Sequence, residues 1–512
     1  MSRLFLVLDT GAAILLVALL FVVYRGRQSA RGPLPPGPRG WPLMGNVFDM
    51  PATNEWNTFM SWGEKWGDIV SVTLFGQHIV ILNSIQHAYD MFEKKSNVYS
   101  DRPAITMAGE MVGWDRTLVL LRYGTRFRET RKLFSQLIGT RSQTERFSLH
   151  LEHEVHRFLR CILREPTSVL KEIRKTTGAV ILKMAYGYEV QEGDDPLVDL
   201  VDRAVDEFSI STRPGAFLVD TFPILRHVPA WMPGASWKKK AKVWADDLEM
   251  TCNVPYAFTQ QQMSAGTAIP SFTSTHLESN PVPEKEIVIK NAAFSLYSAG
   301  ADTTVSAIST FFLAMTCYPE AQRKAQAEID AVIGNDRLPT LADRDKLPFV
   351  TALCCEVLRW QPVAPLGVPH CPVADDFHAG FLIPKGTIVF PNIWKFLHDP
   401  DTYANPFDFE PERFIASPGK TAEKDPRQIV FGFGRRICPG MYLADASLFI
   451  SCAMSLAVFD ISKVVRDGKV IEPVIDYTSG TISHPRPFEF SIKPRSANAE
   501  ALITAMHETR ER

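Results

Sequence analysis

The sequence predicts a mainly α-helical protein with small β-sheets, an α+β fold in one large domain behind a single N-terminal transmembrane helix. Three observations predict it. A 21-residue apolar run opens the chain, long segments with apolar residues at helical spacing fill its middle, and proline, glycine and β-branched residues concentrate after Pro362. With 512 residues, 46% of them hydrophobic and 11% aromatic, the chain can bury a large core. Its formal net charge of −2 gives no overall attraction for nucleic acid, and no nucleic-acid partner is expected.

The apolar run, LFLVLDTGAAILLVALLFVVY from Leu4 to Tyr24, carries one charge, Asp9. It matches the roughly 20 residues that cross a bilayer as a helix. Arg25, Arg27 and Arg31 form a basic stop-transfer flank, and the positive-inside tendency puts everything after it in the cytosol. A cleaved signal would be shorter and would end in small residues. Residues 1–25 therefore read as an uncleaved, single-pass anchor. Residues 26–46 include RGPLPPGPRGWPLMGN and read as a stiff, proline-rich linker. The remainder, 47–512, reads as one domain.

Within that domain two β-like runs come first, DIVSVTLFG and HIVILN, with Gly76–Gln77 as the expected turn. From Ile85 the pattern becomes helical. The longest helix is expected between Pro283 and Pro319, where IVIKNAAFSLYSAGADTTVSAISTFFLAM is apolar on most sides and so belongs in the middle of the protein. YPEAQRKAQAEIDAVIG and LPFVTALCCEVLRW read as two further helices, the first ended by Gly334. Small sheets and loops are expected after Pro362.

Eight cysteines are scattered without a CxxC pair, and most read as small buried apolar side chains. Cys438 differs, because it stands in FGFGRRICPG, Phe431 to Gly440. A dinucleotide loop would want a third glycine at position 437, which is Ile437, and a strand–helix unit around it. A nucleophilic cysteine would need a histidine base, for which there is no local signature. A metal-bound thiolate fits better. Glycines let backbone N–H groups approach sulfur, and GMYLADASLFI reads as a helix whose positive end favours an anion. Pro439 has no N–H, so those donors come from Gly440 onward. One cysteine does not make a zinc or iron–sulfur site, but it can be the single proximal ligand of a haem iron. The plain alternative is a glycine-rich turn around a chance buried cysteine.

FGFGRRICPG closely resembles the haem-binding loop of the cytochromes P450, the haem-thiolate monooxygenases, and three further motifs carry the same resemblance in the same order. In EVLR, Glu356 and Arg359 share a helix face. The resemblance implies that Arg413, in PERF, joins them in a structural cluster. In AGADTT, Ala299 to Thr304, glycine and an acid–threonine pair interrupt good helix formers. Thr303 can bond back to the Ala299 carbonyl and locally open the helix. The resemblance implies that Ala299 and Gly300 form a groove over the haem and that Thr303 and Asp302 manage protons during dioxygen activation. A back-bonded threonine in a kinked helix is the plain alternative. In YGTRFRETRK the family usually has a tryptophan and, four residues later, an arginine, both reaching a haem propionate. Arg131 fits the arginine, but the tryptophan position is Phe127, which has no N–H to donate. Arg436 and His370 are also implied to face the propionates, although His370 reads equally as an ordinary half-buried histidine.

The resemblance covers nearly the whole chain and is of the fungal microsomal type. It implies the cytochrome P450 fold and a haem-thiolate catalytic domain over 47–512. The cofactor would be haem b (iron protoporphyrin IX) with Cys438 as axial thiolate, its loop including Phe431, Gly432 and Gly440. The chain would be anchored in the endoplasmic reticulum membrane. No nicotinamide or flavin fingerprint is present, so electrons are expected from an NADPH-dependent cytochrome P450 reductase. Arg126, Arg128, Lys132, Lys424 and Arg435 read as its docking face, or simply as a solvated basic face. GAFLVDTFPILRHVPAWMPG, 215–234, reads as a lid dipping into the bilayer or as a core loop. Apolar pocket candidates are Met111, Val112, Trp114, Leu118, Phe294, Leu296, the 363–368 segment, Thr481 and Ile482. The expected reaction inserts one oxygen atom from O2 into a hydrophobic small molecule such as a terpenoid, steroid, polycyclic aromatic or other xenobiotic. The alternative is a non-oxygenating haem-thiolate isomerase or a haem- and ligand-binding protein, against which the Asp302–Thr303 pair argues.

Overall fold

Alternating β-branched residues build the first sheet. In the computed structural model, which describes residues 32–191 and 193–505, β1 (Ile69–Leu74) and β2 (Gln77–Leu82) form an antiparallel hairpin. Leu74 pairs with Gln77, so the turn is Phe75–Gly76 and not the expected Gly76–Gln77. Both turn residues have positive φ, 47° and 90°, a geometry that matches the strands' twist and tolerates glycine best. The β3 (Asp376–His378) and β4 (Phe381–Ile383) strands make a second hairpin. β5 (Ile388–Pro391) returns to pair with β2 in parallel. β6 (Phe459–Ser462) pairs with β9 (Ser491–Pro494), and β7 (Val465–Arg466) with β8 (Lys469–Val470).

The expected anchor, 1–25, lies outside the described residues. The described part of the proline-rich segment lies against the sheets. The Ser71 N–H donates to the Pro36 carbonyl at 2.8 Å and the Leu382 N–H to the Pro33 carbonyl at 2.7 Å. A side chain at Gly37 would start 2.0 Å from the Ser71 carbonyl oxygen, so only glycine permits this approach.

The 35-residue helix Pro283–Cys317 runs through the interior and is buried on nearly all sides over its second half. Val169–Tyr186 lies along it, and Thr125–Ile138, Pro196–Ser211 and Met441–Val458 also pack against it. The helix continues unbroken through Ala299–Thr304, where a local opening was expected. A carbonyl has two lone pairs, so a back-bonding threonine hydroxyl need not displace the ladder bond. Pro319–Val332 and Pro348–Trp360 form as the sequence suggests, each with proline in its first turn. Met441–Val458 is apolar and long enough to cross a membrane, with a mean hydropathy of 1.6, but 67% of it is buried inside the protein. It is a core helix, apolar all round because it is covered all round.

Glu356, Arg359 and Arg413 are fully buried together. Arg359 donates to both Glu356 oxygens at 2.7 and 2.8 Å, Arg413 donates to Oε1 at 3.2 Å, and the Glu410 N–H adds a bond of 2.7 Å. The remaining guanidinium N–H groups reach the carbonyls of Leu397, Ala404 and Pro406 and the Glu423 carboxylate. The cluster ties the Pro348–Trp360 helix to the loop over 397–423.

Removing Glu356 strands the buried Arg359 and leaves Arg413 to Glu423 and Glu410, so Glu356→Ala should cost about 3–5 kcal/mol, read as a lowered thermal transition by circular dichroism. A second expectation concerns pH. Glu207, on Pro196–Ser211, is pushed up to about 8 by burial and by Asp247. A carboxyl whose pKa is raised by folding contributes fully below its ordinary 4.5, and that contribution is lost as pH rises through about 8. Glu207→Gln should therefore flatten the fall in melting temperature across that window while leaving the acid side unchanged.

Candidate active site

The loop Phe431–Gly440 turns sharply before the Met441–Val458 helix. The Cys438 N–H closes it by donating to the Phe431 carbonyl at 2.8 Å. Gly432 and Gly434 take φ of +79° and +56°. At Gly434 a Cβ would sit 2.1 Å from the Phe92 carbonyl oxygen, so no other residue brings the loop this close to the Asp90–Lys94 segment. Burial pushes the Cys438 thiol up, while the Gly440 N–H and the Arg131 guanidinium pull it down, both favouring the anion.

Cys438 opens into a cavity of about 100 Å³ whose lining is mostly apolar. The long helix forms one wall through Leu296, Ala299, Gly300, Thr303 and Thr304. Thr303 Oγ1 donates to the Ala299 carbonyl at 2.8 Å. Gly300 serves a second purpose: a Cβ there would meet Ile181 Cδ1 at 2.6 Å, so the glycine also lets the Val169–Tyr186 helix close in. Thr177 on that helix donates to the Ala301 carbonyl at 2.9 Å.

Asp302 does not line this cavity. It is buried on the helix's other side, where His484 Nε2 meets Oδ2 at 2.9 Å and Arg174 Nη1 donates to Oδ1 at 3.3 Å. Burial alone would push its carboxyl up, but His484 and Arg174 together hold it below the ordinary carboxylate value. Neither partner was legible in the sequence. His484 stands 182 residues away in a short irregular segment, and Arg174 is one of many helix-surface arginines.

Beside the Cys438 loop, outside the lining of the cavity, several cations gather, with Asp101 as a nearby carboxylate that partly offsets Arg102 and Arg436. Arg436 is buried, stacks 4.0 Å from the Phe127 ring centroid, and donates only to the carbonyls of Ser100, Leu118 and Leu121. Phe127 thus offers the cation a ring face where a tryptophan would also donate an N–H. Arg102, which sequence reasoning missed, donates from Nε and Nη1 to the carbonyls of Val119, Val368 and Pro369. Its only hint is its place between Asp101 and Pro103. His370 is buried, stacks on Phe92 at 3.9 Å and shares Nδ1 with the Tyr99 carbonyl at 2.9 Å. Burial pushes down the pKa of Arg102, Arg131, Arg436 and His370, Arg436 to about 10. Among the described residues no carboxylate pairs with Arg102, Arg131 or Arg436 within 4.0 Å. Buried guanidinium groups that spend their donors on carbonyls call for an anion. An apolar cavity, a thiol on its floor and cations at its flank fit haem b, whose flat ring carries two propionates.

Of the apolar pocket candidates, Leu296 lines this cavity; Trp114 packs at a tilt against Phe294 and Phe208 in the adjoining core, with ring centroids 5.6 and 4.7 Å from its own. In the 215–234 segment, Leu218, Ile224 and Trp231 are exposed by 61%, 74% and 78%, whereas Phe217 and Leu225 turn inward. Arg128 and Arg435 flank the Tyr123 ring at 5.9 and 5.3 Å, and Arg126 and Lys132 are exposed on the same helix. Lys424 lies over the Tyr89 ring at 4.9 Å.

The family model described as Cytochrome P450 matches residues 35–491. Cytochrome P450 monooxygenase 208 of Postia placenta is 92% identical over 512 residues, the full length of both chains. Cytochrome P450 monooxygenase claR of Ampulloclitocybe clavipes is 48% identical over 92% of this chain and 88% of its own. Cytochrome P450 monooxygenase ppsD of Aspergillus oryzae is 42% identical over 95% of this chain and 94% of its own. Taken with the thiol-floored cavity and its flanking cations, these similarities assign the chain to the cytochrome P450 family, as a haem-dependent monooxygenase that acts on a hydrophobic substrate.

Proposed function

We propose that Cys438 supplies the axial thiolate to haem b and that residues 47–512 form the catalytic domain around it. The observation that carries this reading is one sulfur, preceding a helix N-terminus, at the floor of a cavity walled by Thr303. When bound, the haem supplies a redox-active iron that activates dioxygen and delivers one oxygen atom to the substrate. The protein's own residues do the rest. The Gly440 N–H and Arg131 stabilise charge on sulfur. Arg131 and Arg436, with Arg102, provide the positive surroundings for two propionates, which relieves the cost of burying cations, and His370 lies beside them as a neutral imidazole. The Thr303 hydroxyl, tethered to the Ala299 carbonyl, holds a proton at the cavity wall. Asp302, kept anionic by Arg174 and His484, is suited to relaying protons from outside rather than to touching substrate. Val180, Ile181, Leu296 and Ile308 exclude water and favour apolar ligands such as terpenoids, steroids or polycyclic aromatics, in secondary or xenobiotic metabolism.

The membrane and electron-transfer readings belong to the same proposal. Residues 1–25 would anchor the chain in the endoplasmic reticulum, with 26–46 as the linker and the catalytic domain in the cytosol. The exposed Leu218, Phe222, Ile224, Trp231 and Met232 lie in one short segment and suit an interfacial depth. Exposed Trp41 and Leu43, at the end of the linker, and Phe48 just after it suit the same boundary. Arg126, Arg128, Lys132 and Arg435 offer an acidic reductase a basic face next to the thiolate loop.

Reduced under carbon monoxide, the purified protein should show the red-shifted Soret band of thiolate-bound haem, and Cys438→Ser should abolish it. Substrate-dependent NADPH oxidation with reductase present separates a monooxygenase from an isomerase or a binding protein, neither of which consumes NADPH. Lys132→Glu should slow reductase-driven turnover several-fold while sparing peroxide-driven turnover; equal losses in both assays would refute the docking face.

A further inference from the structure

A second cluster of metal-binding side chains lies apart from the thiolate cavity. His87 and Asp90 stand three residues apart on one face of the helical segment Ile85–Lys94. His378 faces them from the end of β3, next to the Ala379–Gly380 turn, whose residues have φ of +50° and +83°. One ligand atom from each residue, two imidazole nitrogens and a carboxylate oxygen, lie within 4.8 Å of one another. His87 Nδ1 and His378 Nε2 are 2.9 Å apart. None of the three lines the cavity at Cys438.

We propose that His87, Asp90 and His378 bind a divalent transition-metal ion of the zinc class, with water completing the coordination. Two histidines and one carboxylate form a donor set that such ions favour over calcium or magnesium. Metal–nitrogen bonds of about 2.0–2.1 Å at a tetrahedral angle put two ligand nitrogens about 3.3 Å apart. The imidazoles need only open by a few tenths of an ångström. Asp90 has a free oxygen for the third bond: Gln86 and Lys94 both donate to Oδ1, leaving Oδ2. Lys94 is 71% exposed and can swing clear, so its charge is not trapped beside the ion. His378 is buried, which limits the orientations its ring can take and so pre-forms the site.

The site's position suggests its use. Tyr89 packs edge-on against Phe433 at 5.4 Å, and the carbonyl of Phe92 is the atom against which Gly434 of the thiolate loop closes. Metal bridging the Ile85–Lys94 segment to the β3–β4 hairpin would brace the support of that loop. Occupancy is expected to raise the thermal stability of the haem-loaded protein without changing its ferric spectrum.

The test is calorimetric titration of tag-free, detergent-solubilised holoenzyme with zinc chloride, alongside thermal melting. Wild type should bind one equivalent in the micromolar range or tighter and melt several degrees higher. His378→Gln and His87→Gln should each lose that equivalent and the thermal gain, and Asp90→Asn should weaken binding at least about tenfold. Each variant's ferrous–carbonyl band reports whether it is folded. Should either histidine variant fail to load haem, the other and Asp90→Asn decide the matter. No saturable binding to wild type, or equal binding to correctly folded variants, overturns the site while leaving the haem assignment untouched.

Discussion

The site depends on a backbone approach that allows no side chain. The Gly434 Cα faces the Phe92 carbonyl so closely that a Cβ would start 2.1 Å from its oxygen. That contact, with the Cys438 N–H bonded to the Phe431 carbonyl, sets where sulfur points. The same Phe92 stacks on His370, and Arg436 from the loop reaches back to the carbonyls of Ser100, Leu118 and Leu121. Loop, ring stack and cation therefore form one unit, in which displacing any member moves the Cys438 sulfur.

The long helix lines the cavity on one side and packs on the other. Ala299, Gly300 and Thr303 face the cavity, while Asp302 points away, toward Arg174 and His484. Gly300 does both tasks, because the absent side chain opens the cavity wall and also admits Ile181. An acid next to the reactive wall yet outside it can be held ionised in a buried place without exposing its charge to an apolar substrate. Its partners offset the desolvation that would otherwise protonate it.

Two groups of buried charge in this protein obey opposite rules. Around Glu356 each cation has a carboxylate and its remaining donors find carbonyls, so the cluster is complete and holds a long connection in place. Around Arg436 and Arg102 the donors find carbonyls and, among the described residues, no hydrogen-bonded carboxylate, with Asp101 acting only from a distance. A complete cluster reads as architecture, and an incomplete one as half of a recognition site.

Much of the framework could be read along the chain. Helices bounded by Pro283 and Pro319, by Pro319 and Gly334, and over Pro348–Trp360 were legible because proline, glycine and periodicity act locally. FGFGRRICPG marked the sulfur because a lone cysteine among glycines suits a metal-bound thiolate better than a phosphate loop, and its resemblance to the haem-binding loop of the family pointed to haem. Register was harder: the first hairpin's turn fell one residue earlier than read, since cross-strand pairing and turn geometry decide it together. Tertiary structure alone decided which charges meet. Arg102 looked like any arginine until it was buried near Arg436, and Asp302 had no visible partner until Arg174 and His484 arrived from distant segments. Electrostatics acts through space while sequence patterns report only neighbours along the chain, so the cysteine loop was readable and the charges gathered around it were not.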